Sequence, residues 1–323
     1  MSERAINPFF SECILGSVTE KAANFIKKNA EDAAKAASSS QGGEDQLTLQ
    51  KHRWVPVKLL SRQEVSKDTR TYTFKLPDGK DLLGLGTCQH VQIGFHMNDR
   101  MLIRSYTPTR PLLPGSGGGR QKSKPAANGK TLEDSPNGSL RDGDGSFDLT
   151  VKTYFPDENQ PGGALSNILD CIPIGEEVEI RGPTGEIVYI GNGEFVIEGK
   201  KRNFPKVSLV LGGSGITPGY SLIARILLTQ GDMTELRIVD ANKTEGDILL
   251  KGELERFQRD SKGQMKVTHV LSRPSEEWEG AKGYVNGDII KQSLFPPGEG
   301  SVALLCGPPA MIQKAALPAL RGL

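Results

Sequence analysis

The sequence has 323 residues, 36% of them hydrophobic and 24% charged, which is typical of a globular protein of about two domains. A net charge of +1 gives no electrostatic reason to expect binding to nucleic acid or to an acidic membrane surface. No apolar run approaches the roughly 20 residues that span a bilayer, and we expect neither a secretory signal nor N-terminal myristoylation.

Residues 1–48 are predicted to form a leader helix and a linker. Ser17 and Glu20 have the spacing of a capping box, and apolar residues then recur every four positions as far as Ala30. A solvated amphipathic helix is the favoured interpretation. A helix that docks on a partner or lies on a membrane surface is the alternative, and membrane contact is not favoured.

Residues 49–203 are predicted to form a small antiparallel β-barrel. Short segments in which apolar residues alternate, such as Val55 to Leu59 and Val91 to Phe95, are separated by glycine and proline turns, and the last one contains Ile187 and Tyr189. Residues 112–145 interrupt the series with glycine and charge and almost no apolar side chains. We expect this stretch to be a flexible surface insertion.

Residues 204–323 are predicted to form an open parallel α/β domain of the Rossmann type, because strands and helices alternate there. The predicted strands begin at Val207, Leu236, Val267 and Val302, and a helix is expected around Asp247 to Phe257. The four cysteines are widely spaced without a C-x-x-C pair, and the four histidines do not cluster. We therefore expect a reducing, cytoplasmic location without disulfides or a bound metal.

Three motifs in a fixed order carry the functional information. They are Arg104-Ser105-Tyr106-Thr107-Pro108, Gly212-Gly213-Ser214-Gly215-Ile216-Thr217-Pro218 and Cys306-Gly307-Pro308-Pro309. In this order and spacing the sequence resembles the cytochrome b5 reductase family, including the matching part of eukaryotic nitrate reductase, over roughly residues 50–321. The resemblance implies an FAD-binding barrel followed by an NAD(P)-binding domain.

The family pattern implies where FAD binds. Arg104 would lie at the pyrophosphate, as a permanent forked cation, and Ser105, Tyr106 and Thr107 would lie near the isoalloxazine. The loop before the next helix would bind the FAD phosphates through its backbone and the helix N-terminus. Its contacting residues would be Gly162, Gly163, Leu165 and Ser166, with Leu165 where the family often has Met.

The same pattern implies where the nicotinamide nucleotide binds. Lys152 would lie close to it, and Tyr154, two residues further on, is also expected to bind a cofactor. Gly213, Ser214 and Thr217 belong to the predicted nucleotide turn, in which Ser214 stands where Thr is common. Cys306 would position the nicotinamide without redox chemistry, and Gly307 and Pro308 would border the pyrophosphate.

Nucleotide choice is predicted from the residues after the strand that begins at Val267. Relatives that prefer NADH often have an acidic residue where Ser272 stands, and a carboxylate there would repel a 2′-phosphate. Ser272 removes that repulsion and Arg273 supplies a cation. We therefore expect NADPH to be accepted and preferred over NADH. The neighbouring stretch Asp240–Leu250 is interpreted as mainly structural, with a loop near the nucleotide as the alternative.

Two departures from related patterns matter. Gln160-Pro161-Gly162-Gly163 resembles the haem motif of cytochrome b5 but lacks the axial histidine, so we expect no haem. The family's terminal aromatic residue that covers the flavin has no counterpart after Gly322-Leu323. This difference predicts either a truncated sequence or a more open flavin.

The resemblance implies hydride transfer from NAD(P)H to FAD and single-electron transfer to a cytochrome b5-like haem protein. No side-chain nucleophile is expected, because the flavin carries the chemistry. The reductase portion of an assimilatory nitrate reductase is the alternative, and a flavin or nucleotide sensor without enzymatic activity is the third possibility.

Overall fold

The computed structural model describes residues 47–97, 100–110, 145–156, 158 and 162–322. The predicted leader helix and nearly all of the predicted insertion lie outside these residues. The described chain forms two compact units, which divide between Thr184 and Gly185.

The first unit is built on a six-stranded antiparallel sheet with the order β4-β3-β6-β1-β2-β5. One short helix, α1 (Ala164–Cys171), packs against β4. The strands are β1 (Val55–Ser66), β2 (Thr69–Lys75), β3 (His90–Met97), β4 (Arg100–Tyr106), β5 (Ser146–Lys152) and β6 (Glu177–Thr184).

The predicted period of two is present in these strands, because one face of the sheet is buried. In β1, Val57 and Leu59 are buried while their neighbours are half-buried or exposed. Tyr72, Phe74 and Phe147 stack on the buried face, with ring centroids 6.5 and 5.4 Å apart along the series. Side chains of β1, β2 and β5 thus pack together in the core of this unit.

The two edges of the six-stranded sheet are joined just beyond β4. The Thr109 N–H donates to the carbonyl oxygen of Asp148 in β5, at 3.0 Å. The guanidinium of Arg110 is buried and forms a bidentate pair with the Asp148 carboxylate, at 3.2 and 2.9 Å, and also donates to Ser146. The residues on either side of the predicted insertion are therefore held directly by one another.

The second unit contains a five-stranded parallel sheet with the order β13-β12-β11-β10-β14, as the alternation of strands and helices predicts. Its strands are β10 (Lys206–Gly212), β11 (Glu235–Asn242), β12 (Met265–Leu271), β13 (Ala281–Lys282) and β14 (Ser301–Cys306). Its α-helical segments are α2 (Ile216–Leu227), α3 (Lys251–Asp260), α4 (Gly287–Ser293), α5 (Pro309–Met311) and α6 (Leu317–Arg321). The π-helical segment Ile312–Ala316 joins the last two, and 3₁₀ turns cover Gly213–Gly215 and Glu245–Asp247.

The helix expected around Asp247 to Phe257 is thus a 3₁₀ turn followed by a helix that begins only at Lys251. Leu250 between them has φ of +56° and interrupts the helical geometry.

A three-stranded antiparallel sheet precedes the parallel sheet: β7 (Ile187–Gly191), β8 (Glu194–Ile197) and β9 (Lys200–Asn203). The sequence places Ile187 and Tyr189 in the barrel, but the structure places them in the second unit. The buried Tyr189 hydroxyl donates to the Asp232 carboxylate at 2.6 Å and lies 2.8 Å from the Thr234 hydroxyl. These contacts explain why Ile187 and Tyr189 group with the second compact unit, while the domain boundary at residue 203 stays a prediction.

No helix in the described part of the chain has the length and apolar character to cross a membrane. Within the same residues, no group of three or more histidine, cysteine or acidic side chains could hold a metal ion. Cys88, Cys171 and Cys306 are free thiols.

Candidate functional site

In the first unit, the predicted flavin residues of β4 lie on an edge strand. Arg104 and Ser105 are exposed, Tyr106 is half-buried and Thr107 is buried. Burial raises the pKa of the Tyr106 phenol, and the nearby Arg104 guanidinium opposes only part of this effect. The phenol therefore stays protonated near neutral pH and can donate a hydrogen bond.

The predicted phosphate loop is folded tightly before α1. Gly162 has φ of +77°, and an added Cβ would lie 2.6 Å from the carbonyl oxygen of Tyr154. The Gly163 N–H donates to the same oxygen at 2.7 Å, and Gly163 is the N-cap of α1 without a side-chain cap. The first-turn N–H groups of α1 therefore remain the donors that an anion at this end would use.

The predicted residues of α1 differ in what they offer. Leu165 is buried, with only 2% of its surface exposed, and its side chain belongs to the hydrophobic core. The Ser166 hydroxyl donates to the carbonyl oxygen of Gly163 at 3.0 Å. Asn167, which belongs to none of the sequence motifs, donates to the carbonyl oxygens of both Tyr154 and Gly163, at 2.8 and 2.7 Å. Asn167 fixes the loop, but an asparagine in a helix gives no sequence signal for that role.

Lys152 is the last residue of β5 and Tyr154 lies two residues beyond it, and their surroundings differ. Lys152 forms an ion pair with Asp68 at 3.1 Å, and both side chains are largely buried. Ser66 and Thr69 donate to the other carboxylate oxygen of Asp68. Tyr154 is half-exposed. The Asp68 partner of Lys152 is a second residue that the sequence patterns did not indicate.

In the second unit, the predicted glycine turn lies at the carboxyl end of β10. Gly213 has φ of +53°, a conformation that favours glycine, and an added Cβ would meet no neighbouring atom within 4 Å. Gly215 lies against β14, because an added Cβ would be 2.3 Å from the carbonyl oxygen of Cys306. The buried Thr217 hydroxyl donates to the carbonyl oxygen of Ser214 at 3.2 Å, so it fixes the shape of the turn.

The Cys306-Gly307-Pro308 segment lies directly beside this turn. Cys306 is paired with Leu211 in the parallel ladder of β10 and β14, and Pro308 precedes α5 as its N-cap. The thiol of Cys306 is buried, and burial raises its pKa to about 12. A thiol that stays protonated at neutral pH is a poor nucleophile, which agrees with a positioning role.

Ser272 and Arg273 lie at the same edge of the sheet, immediately after β12. Since β12 is two strands away from β10, the end of β12 lies roughly 10 Å from the end of β10, where the glycine turn begins, at the usual strand spacing. Arg273 is exposed and Ser272 is half-buried. The carboxyl edge of an open parallel sheet is where nucleotides bind in this architecture.

A buried polar cluster that the sequence analysis did not identify lies between these positions. The carboxylate of Asp240 in β11 accepts from the Asn242 side chain and lies 3.0 Å from Nδ1 of His269. Asp240 is only 1% exposed. Asp240 lies in β11, where the other buried residues are aliphatic. The sequence pattern therefore predicts that the position is buried, but it does not predict which residues form hydrogen bonds with Asp240.

Comparison with known proteins identifies both units. Residues 56–117 and 135–189 match the oxidoreductase FAD-binding domain, and residues 209–316 match the oxidoreductase NAD-binding domain. NADH-cytochrome b5 reductase 2 of Xenopus laevis is 36% identical over 269 residues, which cover 80% of this chain and 81% of that protein.

Nitrate reductases are equally similar in sequence. Nitrate reductase [NADH] 1 of Oryza sativa is 35% identical over 273 residues, and the chain spans 27% of that relative's length and 39% of its Zea mays counterpart. The crystal structure of the cytochrome b5 reductase domain of Ulva prolifera nitrate reductase has a TM-score of 0.73 and 29% identity, over 85% of this chain and 95% of that one. The chain therefore belongs to the cytochrome b5 reductase family of FAD- and NAD(P)H-dependent oxidoreductases.

Proposed function

We propose that this protein oxidises NADPH, and less efficiently NADH, and passes the electrons through FAD to a cytochrome b5-like haem protein in the cytoplasm. The observation that supports this most is the glycine turn, closed against Cys306 and Gly307 at the carboxyl edge of the parallel sheet. Relatives with matching domains are named for NADH and for cytochrome b5. Bound FAD would supply the hydride acceptor and the one-electron donor.

The first unit is proposed to bind FAD in a barrel. The contacts of Thr109 and Arg110 with Asp148, which join the two edges of the sheet, support closure. Arg104 would pair with the pyrophosphate, since an exposed guanidinium on an edge strand is free to approach it. Ser105, Tyr106 and Thr107 would contact the isoalloxazine, and Tyr154 offers an aromatic face beside the loop.

The phosphate groups of FAD would be held at the start of α1. Gly162 and Gly163 bring the backbone close enough for N–H groups to donate to an anion, and the uncapped helix N-terminus adds a favourable dipole. Leu165 and Ser166 would contribute backbone donors, because the Leu165 side chain is in the core. Lys152 would remain near the nicotinamide nucleotide as a cation that Asp68 neutralises and orients.

In the second unit, Gly213 and Ser214 would contact the nucleotide pyrophosphate while Thr217 maintains the turn. Cys306, Gly307 and Pro308 would border the nicotinamide end, and Ser272 and Arg273 would contact the adenosine end. A 2′-phosphate there would meet the Ser272 hydroxyl and the Arg273 guanidinium, and position 272 itself carries no carboxylate to repel it, which favours NADPH.

Steady-state kinetics with NADPH, NADH and ferricyanide as an artificial acceptor test the reductase activity. Stopped-flow reduction of a purified cytochrome b5 then tests the acceptor. A protein that binds FAD but does not turn over NAD(P)H would contradict the proposal and favour a sensor.

The reductase portion of a nitrate reductase is the second candidate, and the similarity to the Ulva prolifera domain supports it. The two functions share every residue discussed above and differ only in the haem acceptor. Reduction of an isolated nitrate reductase haem domain at a much higher rate than cytochrome b5 would favour the second candidate.

A further inference from the structure

Two loops meet at the carboxyl edge of the parallel sheet, one after β11 and one after β12. The Ser272 N–H donates to the carbonyl oxygen of Asn242 at 3.1 Å. The next N–H, of Arg273, donates to the carbonyl oxygen of Lys243 at 2.7 Å. The loop that carries the proposed specificity residues is thus attached to its neighbour at its first two residues.

A side chain makes the third attachment. The Glu245 carboxylate accepts from the Ser275 N–H at 3.1 Å and from the Ser275 hydroxyl at 2.7 Å, through the same oxygen, Oε1. The Ser275 hydroxyl hydrogen bond is the main reason why the pKa of Glu245 lies below its usual range. Glu245 is therefore ionised at neutral pH, and a hydrogen bond to an ionised acceptor is stronger than a neutral one.

The position of Glu245 is itself fixed by local structure. It begins the 3₁₀ turn Glu245–Asp247, which a capping box between Thr244 and Asp247 closes. The N–H and the hydroxyl of Thr244 donate to the Asp247 carboxylate at 3.1 and 2.7 Å. The next residues, Ile248 and Leu249, are buried. This side of the contact is therefore a rigid support, whereas Arg273 and Ser275 on the other side are exposed.

We propose that Glu245 is a positioning residue for nucleotide selection. By bonding both donors of Ser275, it limits the conformations of the segment Ser272–Ser275 and holds Ser272 and Arg273 where the adenosine ribose binds. The inference rests on the proposed role of those two residues. Glu245 does not touch the nucleotide, and its removal acts through the entropy of the loop.

Four variants and one control test the proposal. Glu245→Ala removes the acceptor, Glu245→Gln keeps one carbonyl acceptor, and Ser275→Ala removes the hydroxyl donor but keeps the N–H. The fourth variant combines Glu245→Ala and Ser275→Ala. Glu255→Ala is the matched control, because it removes an exposed carboxylate on α3 whose ion-pair partner is Lys251, at 3.8 Å, rather than a residue of the segment Ser272–Ser275.

The measured quantities are kcat and KM for NADPH and NADH with ferricyanide, and amide hydrogen exchange of residues 272–279 without nucleotide. Glu245→Ala should raise the KM for NADPH by about three- to tenfold with kcat within about twofold, since one or two hydrogen bonds are lost. Glu245→Gln should recover part of the loss, and the double variant should be no worse than Glu245→Ala. Exchange should accelerate in the alanine variants and stay unchanged in Glu255→Ala.

Arg273→Ala separates failure of this inference from failure of the proposed function. If Arg273→Ala raises the KM for NADPH but Glu245→Ala does not, Glu245 has no positioning role and the specificity assignment stands. If neither change alters the KM for NADPH, the loop does not select the nucleotide. The positioning role of Glu245 and the specificity role of Ser272 and Arg273 are then both wrong. A lower melting temperature with equal losses for NADPH and NADH would show a merely structural role and would also overturn the inference.

Discussion

Gly215→Ala is the substitution for which the structure gives the sharpest expectation. Gly215 has φ of −63°, which any residue adopts, so the backbone torsion does not require glycine. The lack of space around Gly215 requires glycine instead. An added Cβ would lie 2.3 Å from the carbonyl oxygen of Cys306, 2.6 Å from its carbonyl carbon and 2.9 Å from the nitrogen of Gly307. All three atoms belong to the backbone, so no side-chain rotation relieves the overlap.

The expected cost follows from that geometry. Overpacking in a tight interior costs about 1–3 kcal/mol, and an obstacle made only of backbone puts Gly215→Ala near 3 kcal/mol. For a unit of this size, such a loss lowers the melting temperature by roughly 10 °C. Because β14 must move away from the glycine turn, the KM for NADPH should also rise by about tenfold or more.

Fluorescence melting resolves the effect by unit. The chain has two tryptophans, Trp54 in the first unit and Trp278 in the second, so a Trp54→Phe background reports on the second unit alone. Flavin content should stay unchanged, because the proposed FAD residues belong to the first unit.

Gly252→Ala is the matched control. No atom lies within 4 Å of an added Cβ at that position in α3, so alanine should stabilise the helix by about 0.5–1 kcal/mol. If the melting temperature of Gly215→Ala lies within about 2 °C of that of the parent protein and its KM for NADPH is unchanged, the glycine turn does not approach β14 as closely as described.

Four other outcomes are expected. Arg104→Ala should weaken FAD binding by roughly 10- to 100-fold, since a charge-assisted phosphate contact contributes about 1.5–3 kcal/mol, and unchanged affinity in a titration of flavin-free protein would refute its role. Ser272→Asp should raise the NADH-to-NADPH ratio of kcat/KM by about tenfold, or about 1.4 kcal/mol of differential binding, and a constant ratio would contradict the specificity prediction. Replacing residues 112–145 with a short Gly/Ser turn should leave flavin content and melting temperature nearly unchanged, because the strands on either side hold each other. Iodoacetamide should label the exposed Cys171 well before the buried Cys306 from about pH 7 to 9, because the raised pKa of Cys306, about 12, keeps its thiol protonated in that range. Peptide mass spectrometry measures the two labelling rates, and equal rates would argue against the burial of Cys306.

Sequence patterns predicted the features that depend on local chemistry. Within one turn, Gly213 has a positive φ and Gly215 has no space for a Cβ. Both positions therefore require glycine, and the spacing of the glycines is recognisable in the sequence. The alternation of apolar residues in β1 follows from the burial of one face of its sheet. The continuous apolar run of β10 follows from burial on both faces of the parallel sheet. The antiparallel sheet of the predicted barrel and the parallel α/β unit are therefore confirmed, while closure of that sheet into a barrel stays a prediction and the leader helix lies outside the described residues.

Features that depend on distant partners were not predictable from pattern. The strands β7 and β8 alternate like barrel strands, and their place in the second unit depends on distant contacts such as the one between Tyr189 and Asp232. Lys152 has an ion-pair partner, Asp68, from a turn far earlier in the chain. Glu245 and Ser275 likewise come together only when β11 and β12 pair in register.

The network around Tyr189 bears on how the chain can be divided for engineering. A nucleotide-binding fragment that starts at residue 204 would discard the Tyr189 hydroxyl and the Asn192 N–H, both of which donate to Asp232. A buried carboxylate stripped of these donors would have to take up water or a proton, at a cost in fragment stability. Chimeras with other flavin modules are therefore better joined next to Gly185, where the hairpin travels with the half of the protein that it supports.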